Sequence, residues 1–106
     1  MKIELPTATI AEHDGLRTLH LGDTAWVQGA MLVDEPRVIV LEYVQRMMAW
    51  MLWRDSAELT RGHAVQLGLG AGAITRHCHQ VLRMDRVTAV ELNPAVIAAC
   101  RHGFKL

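Results

Sequence analysis

The chain has 106 residues, enough for one domain at most, and its 11 Lys and Arg residues cancel its 11 Asp and Glu residues. That balance excludes a strong field for nucleic acid or for an anionic membrane surface. Hydrophobic residues make up 51% of the chain, above the usual share, so a core can form and some apolar surface is expected to lack an internal partner.

Residues 1–32 read as β-rich. Leu16-Arg17-Thr18-Leu19-His20-Leu21 alternates, Gly22-Asp23 is a turn signal, and Ala25-Trp26-Val27-Gln28 leads to Met31-Leu32-Val33. A hairpin or small meander is the natural expectation. Asp34-Glu35-Pro36 then resembles a helix start, with acids and a proline at the first turn.

Residues 37–54 are the longest helix candidate. Leu41, Val44, Met48, Met51 and Leu52 fall on one apolar stripe, which Tyr43, Met47, Trp50 and Trp53 widen. A helix apolar over so much of its circumference is expected to pack on two sides, within the core or against another subunit. Glu42, Gln45 and Arg46 interrupt the stretch, which is too short and too polar to span a bilayer. No long apolar run follows Lys2 and Glu4, so no signal peptide is expected.

The remainder reads as a strand over 63–67, a helix over 73–82, a strand over 86–91 and a helix over 94–102. Gly68-Leu69-Gly70-Ala71-Gly72 joins the first strand to its helix. At least one of these glycines is expected at positive φ, which costs an ordinary residue roughly 1–2 kcal/mol. The others clear a Cβ from a ligand's path. The helix entering at Ala73 offers unpaired N–H donors suited to a carboxylate or phosphate.

Glu91-Leu92-Asn93-Pro94 ends the second strand, and Glu91 lies 23 residues after Gly68. A carboxylate at that strand tip is placed to grip a ribose diol through charge-assisted hydrogen bonds of about 1.5–3 kcal/mol each. The plainer alternative is a glycine-rich turn followed by an exposed glutamate. Strand, glycines, helix, strand and acid in register favour nucleotide binding. Gly68-x-Gly70-x-x-Ala73 also fits the dinucleotide fingerprint, so a nicotinamide cofactor such as NAD remains an alternative.

Other polar residues offer less. His77 and His79 flank Cys78 on the expected helix, but positions i and i+2 do not share a face. His13, His20, His63 and His102 show no ligand spacing, so no metal site is expected. Cys78 and Cys100 lack metal or redox spacing and read as reduced, buried thiols of a cytoplasmic protein. Arg76, Arg83 and Arg86 read as surface charges, with Arg76 near enough to the helix start to approach a carboxylate. Ser56 and Thr60 have no partners in a recognisable nucleophile arrangement.

Taken together, Leu67-Gly68-Leu69-Gly70-Ala71-Gly72-Ala73-Ile74-Thr75-Arg76, Val87-Thr88-Ala89-Val90-Glu91-Leu92-Asn93-Pro94 and Val96-Ile97 resemble class I S-adenosylmethionine-dependent methyltransferases. More closely, they resemble the spermidine synthase family, the polyamine aminopropyltransferases. Upstream, Gly22-Asp23-Thr24-Ala25-Trp26-Val27-Gln28-Gly29-Ala30-Met31 looks like the small N-terminal β-domain of those enzymes. Residues 43–53 look like the helix leading into their nucleotide-binding domain. The resemblance covers nearly the whole chain and about the first half of a family member.

It implies an α/β fold: a β region over 1–34, then the first half of a Rossmann-like methyltransferase fold over 35–106. It also implies an adenosyl co-substrate, S-adenosylmethionine or its decarboxylated form, held by Gly68, Leu69, Gly70, Ala71, Gly72, Glu91, Leu92 and Asn93, with Gln28 on the nucleoside. In that family an amine attacks the carbon beside the sulfonium, and positioning and charge supply most of the acceleration. A polyamine or other small amine is the implied acceptor.

Ala71 stands where the family's loop usually carries an aspartate, and Tyr43-Val44-Gln45 stands where it usually carries Tyr-His-Glu. The family's catalytic aspartate follows a fourth strand, so its counterpart would lie after Leu106, and the chain is expected to be a fragment without activity of its own. A two-strand parallel sheet leaves edges and faces open, which favours a homo-oligomer.

Overall fold

The computed structural model describes residues 3–106. The first two residues of the expected β-rich stretch, Lys2 among them, lie outside the described residues. β1 (Ala8–His13) and β2 (Leu16–Leu21) form an antiparallel hairpin, with Ala8 opposite Leu21 and His13 opposite Leu16. Asp14 and Gly15 make its two-residue turn, both at positive φ (50° and 79°). Asp-Gly is the dipeptide such a turn prefers, because its backbone twist matches that of the strands. β3 (Gly29–Leu32) pairs with the other edge of β2, giving a meander of order β1-β2-β3. Residues 25–28 stay outside the ladder, but the Gln28 amide donates to the Leu19 carbonyl at 2.8 Å and delivers the chain into β3.

The long helix expected over 37–54 is broken into shorter pieces. No helix starts at Pro36; residues 33–41 are turns and irregular chain, and α1 begins at Glu42 and ends at Met47. The β-branched run Val38-Ile39-Val40 disfavours a helix through its stiff χ1 angles. The carbonyls of Pro36 and Ile39 are also taken by the side chains of Arg76 and Gln45. A 3-10 helix follows over Met48–Trp53. Its tighter winding carries residues out of the α-helical stripe. Val44 and Met48 are therefore buried and Trp50 and Met51 half-buried, while Tyr43, Met47, Leu52 and Trp53 are exposed.

α2 (Ser56–Arg61) is an additional helix, capped by the Asp55 carboxylate, which accepts from the Ala57 amide at 3.3 Å. Asp55 followed by Glu58 three positions on is a capping-box spacing that marks this start in the sequence.

β4 (His63–Leu67) and β5 (Arg86–Val90) form a parallel pair, His63 opposite Arg86 and Leu67 opposite Val90. The helix between them is α-helical over Ala73–Arg76 (α3) and then opens into a π-helical turn over His77–Val81. α4 (Pro94–Gly103) runs close to the length its apolar period predicts. Its cap is Asn93, whose Oδ1 accepts from the Ala95 amide at 3.0 Å, with Pro94 at the first position.

The protein is thus mixed α/β, an antiparallel meander and a small two-strand parallel sheet joined by one core. Leu19 and Met31 of the meander pack with Leu69, Ala71, Val96, Cys100 and Phe104. A second cluster gathers Met48, Cys78 and Met84 against Ala64 and Val87 of the parallel pair. The other face of that pair is bare: Val65, Leu67 and Val90 are exposed, Leu67 to 83%. Among the described residues no helix is long and apolar enough to cross a membrane.

Candidate functional site

Gly68, Gly70 and Gly72 all adopt positive φ, at 84°, 57° and 77°. The turn after β4 therefore needs glycine at each alternate position, because an ordinary residue there is strained. Its start is fixed to the sheet, where the Gly68 amide donates to the Val90 carbonyl at 2.8 Å. Its end is fixed as the Gly72 amide donates to the Leu69 carbonyl at 3.0 Å, and Gly72 becomes the cap of α3. Gln66, in the last turn-facing position of β4, adds a brace that the glycine pattern does not announce. Its Nε2 donates to the Gly68 carbonyl and its Oε1 accepts from Thr75 Oγ1, both at 2.8 Å.

Glu91 sits just past the end of β5, half-buried, and is bonded to this turn. Its Oε1 accepts from the Leu69 amide at 3.0 Å and its Oε2 from the Asn93 amide at 2.9 Å. Each oxygen has acceptor capacity left after one such bond. The acid is thus held by two backbone donors at the mouth of the turn, with its remaining lone pairs available. Asn93 is buried and engaged as the α4 cap, and its Nδ2 donates to the Pro6 carbonyl at 2.8 Å. Its part here is to orient Glu91 through its own amide. The Leu92 side chain is exposed.

The meander closes the other side. Gly29 abuts Ala71 so tightly that a Cβ on Gly29 would fall 2.5 Å from the Ala71 nitrogen. A Cβ on Gly70 would meet the Gln28 carbonyl at 3.3 Å. Gln28, Gly68, Leu69, Gly70 and Ala71 therefore line a single cleft of about 140 Å³, completed by Tyr43 and Val44 of α1. Of the residues expected at a nucleotide site, these five line the cleft; Gly72, Glu91, Leu92 and Asn93 do not, though Glu91 is tied to it through the Leu69 amide and Asn93 to Glu91 in turn. The Leu69 side chain is buried in the core, so it offers the cleft backbone only. A larger groove of about 510 Å³ runs along β4, lined by Trp50, Arg54, Glu58 and Met84. It contains neither the glycine turn nor the acid that the sequence pattern marks for a nucleoside.

Arg76 corrects a sequence expectation. It is buried to 1% exposure rather than a surface charge, and its guanidinium donates to the carbonyls of Pro36, Ala71 and Phe104. Burial lowers its pKa. Beside it Cys100 donates its thiol to the Gly70 carbonyl at 3.0 Å, and burial pushes that thiol up to about 11. Cys78 and Cys100 are both free and buried, as expected from their spacing. Among the described residues no group of three or more His, Cys, Asp or Glu side chains is arranged to hold a metal.

A glycine turn clasped by a strand-end carboxylate, between a parallel strand pair and a helix, defines an α/β protein with a cleft at the carboxyl end of its strands. The chain is 40% identical over 105 residues to polyamine aminopropyltransferases of Neisseria meningitidis serogroup A (strain Z2491) and serogroup B (strain MC58), covering 99% of this chain and 38% of theirs. It is 37% identical over 102 residues to the polyamine aminopropyltransferase of Chromobacterium violaceum, covering 96% of this chain and 37% of that enzyme. The resemblance to the spermidine synthase-like family, read from the glycine turn and the Gln28 segment, therefore holds along nearly the whole chain. The chain spans under two fifths of the length of these curated relatives. No protein-family profile matches it, and no solved structure matches it.

Proposed function

We propose that the chain is the adenosyl-binding part of a spermidine synthase-like transferase. Its ligand is S-adenosylmethionine or the decarboxylated form. The observation that carries this reading is the Glu91 carboxylate, fixed by the Leu69 and Asn93 amides beside three positive-φ glycines. In this reading residues 1–34 form the small β-domain and residues 35–106 the first half of a Rossmann-like nucleotide-binding domain. Glu91 accepts the ribose hydroxyls, Gly68, Gly70 and Gly72 let the nucleoside approach the backbone, and Gln28 flanks it from the meander. The relatives' name supports aminopropyl transfer in the whole protein. There an amine nitrogen of a polyamine or similar acceptor bonds to the carbon beside the sulfonium. The carbon–sulfur bond breaks with its electron pair going to sulfur, a thioether nucleoside leaves, and the amine gives up a proton. None of the residues described above is assigned to taking that proton. A cytoplasmic location accords with two free thiols.

The test is calorimetry of the chain with S-adenosylmethionine, its decarboxylated form, methylthioadenosine and NAD. Binding of an adenosyl thioether or sulfonium, lost in Glu91→Gln, is the expected result. Binding of NAD alone overturns the assignment in favour of a dinucleotide-binding protein.

A second reading, a non-catalytic chain that self-associates, is favoured by one observation. Val65, Leu67 and Val90 form an uncovered apolar face on the parallel pair. The two readings separate by ligand binding and by oligomeric state.

A further inference from the structure

The guanidinium of Arg76 lies beneath the glycine turn, where a Cβ on Gly72 would be 3.2 Å from its Nη1. Its Nε donates to the Pro36 carbonyl at 3.1 Å, and its Nη1 donates to the carbonyls of Ala71 and, at 2.7 Å, Phe104. These three acceptors belong to separate parts of the chain: the segment before α1, the glycine turn, and the residue after α4. Among the described residues no carboxylate pairs with this buried cation, and its Nη2 has no hydrogen-bond partner. A buried charge without a counter-charge is an expensive way to fill space, and an apolar side chain of similar size would pack at lower cost. Its presence therefore calls for a reason beyond packing.

The turn itself supplies that reason. Three glycines at positive φ within five residues make a segment with unusual backbone freedom. A ligand that must order such a segment binds more weakly, because the ordering entropy is subtracted from the gain in contacts. We infer that Arg76 is a positioning residue that holds the glycine turn in its ligand-receiving shape by fastening the Ala71 carbonyl to Pro36 and Phe104. The inference rests on the reading that this turn receives an adenosyl nucleoside. The planar fork of arginine reaches acceptors in different directions at once. Lysine, with one compact ammonium, does not span all three.

The test compares the wild-type chain with Arg76→Lys, Arg76→Met and, as a control for simple loss of stability, Met84→Ala in the second cluster. Amide hydrogen exchange at Gly70, Ala71 and Gly72 is read without ligand, and methylthioadenosine affinity is read by calorimetry. Both Arg76 variants are expected to exchange at least tenfold faster at the turn, with Leu19 in β2 unchanged, and to bind at least tenfold more weakly. Met84→Ala is expected to melt earlier yet keep turn protection and affinity. If Arg76→Met does not fold, Arg76→Lys decides. Turn exchange at the wild-type rate in Arg76→Lys, or an equal rise at Leu19, overturns the inference. If the wild-type chain takes no methylthioadenosine, the functional reading fails, and the exchange measurement still decides whether Arg76 orders the turn.

Discussion

Glu91 and Leu69, separated by 22 positions in sequence, are joined by a hydrogen bond of 3.0 Å from the Leu69 amide to Glu91 Oε1. The acid that would hold the ribose is therefore also a structural brace of the glycine turn. Glu91→Ala is expected to abolish measurable methylthioadenosine binding and to destabilise the fold by about 1–3 kcal/mol, since it strips the Leu69 and Asn93 amides of their acceptor. Glu91→Gln keeps one acceptor oxygen and should cost less stability while still weakening binding. Denaturant unfolding and calorimetry on the two variants separate the brace from the grip.

Gly29→Ala addresses the contact between the meander and the turn. The added Cβ would lie 2.5 Å from the Ala71 nitrogen, which is backbone and cannot swing aside. Overpacking of this kind costs about 1–3 kcal/mol. For a domain of this size each kcal/mol lowers the melting temperature by roughly 4–8 °C. Because the displaced residues line the cleft, nucleoside affinity should fall with it. An unchanged melting curve would mean that β3 and the turn do not pack as described.

Cys100 predicts an alkaline slope in stability. Its thiol, near 9.0 when unperturbed, is pushed up to about 11 in the fold, first by burial and then by the Glu91 charge, against the opposing pull of Arg76. The unfolded chain releases the proton from about pH 9, and the folded chain holds it until about pH 11. Stability from this group is thus complete below pH 9, declines between pH 9 and about 11, and is flat above. Cys100→Ser retains a donor toward the Gly70 carbonyl and should reduce the slope relative to wild type. Thermal melts across pH 8 to 11 check the difference; parallel curves would refute it.

The bare face of the parallel pair predicts concentration-dependent association. Leu67 and Val90 face one another across the pair and stand exposed with Val65. The double variant Leu67→Gln, Val90→Thr leaves the buried face untouched and should shift the chain toward monomer in light scattering. If the wild-type chain is already a stable dilute monomer, the self-associating reading fails.

Residue types and spacing alone determined the local elements whose signals are short-range. Alternation placed β2, the glycine turn placed the junction of β4 and α3, and Asn93-Pro94 placed the start of α4, because each depends on φ preferences and caps within a few residues. The Asp14-Gly15 turn and the Asp55 cap carry equally local signals, but the turn expected from the sequence is Gly22-Asp23, and neither β1 nor α2 is among the expected elements. Only the tertiary structure decided three things: that the long apolar stripe breaks at Met48, that Gln28 and Gly29 press against Gly70 and Ala71, and that Arg76 is buried. No helix forms ahead of Glu42, where the Pro36 carbonyl answers Arg76, 40 positions away, and the Ile39 carbonyl answers the Gln45 side chain rather than a helical ladder. Arg76 is buried because its three acceptors, spread from position 36 to position 104, meet only when the whole chain has folded. A one-dimensional pattern carries no record of which distant carbonyls will converge on a guanidinium.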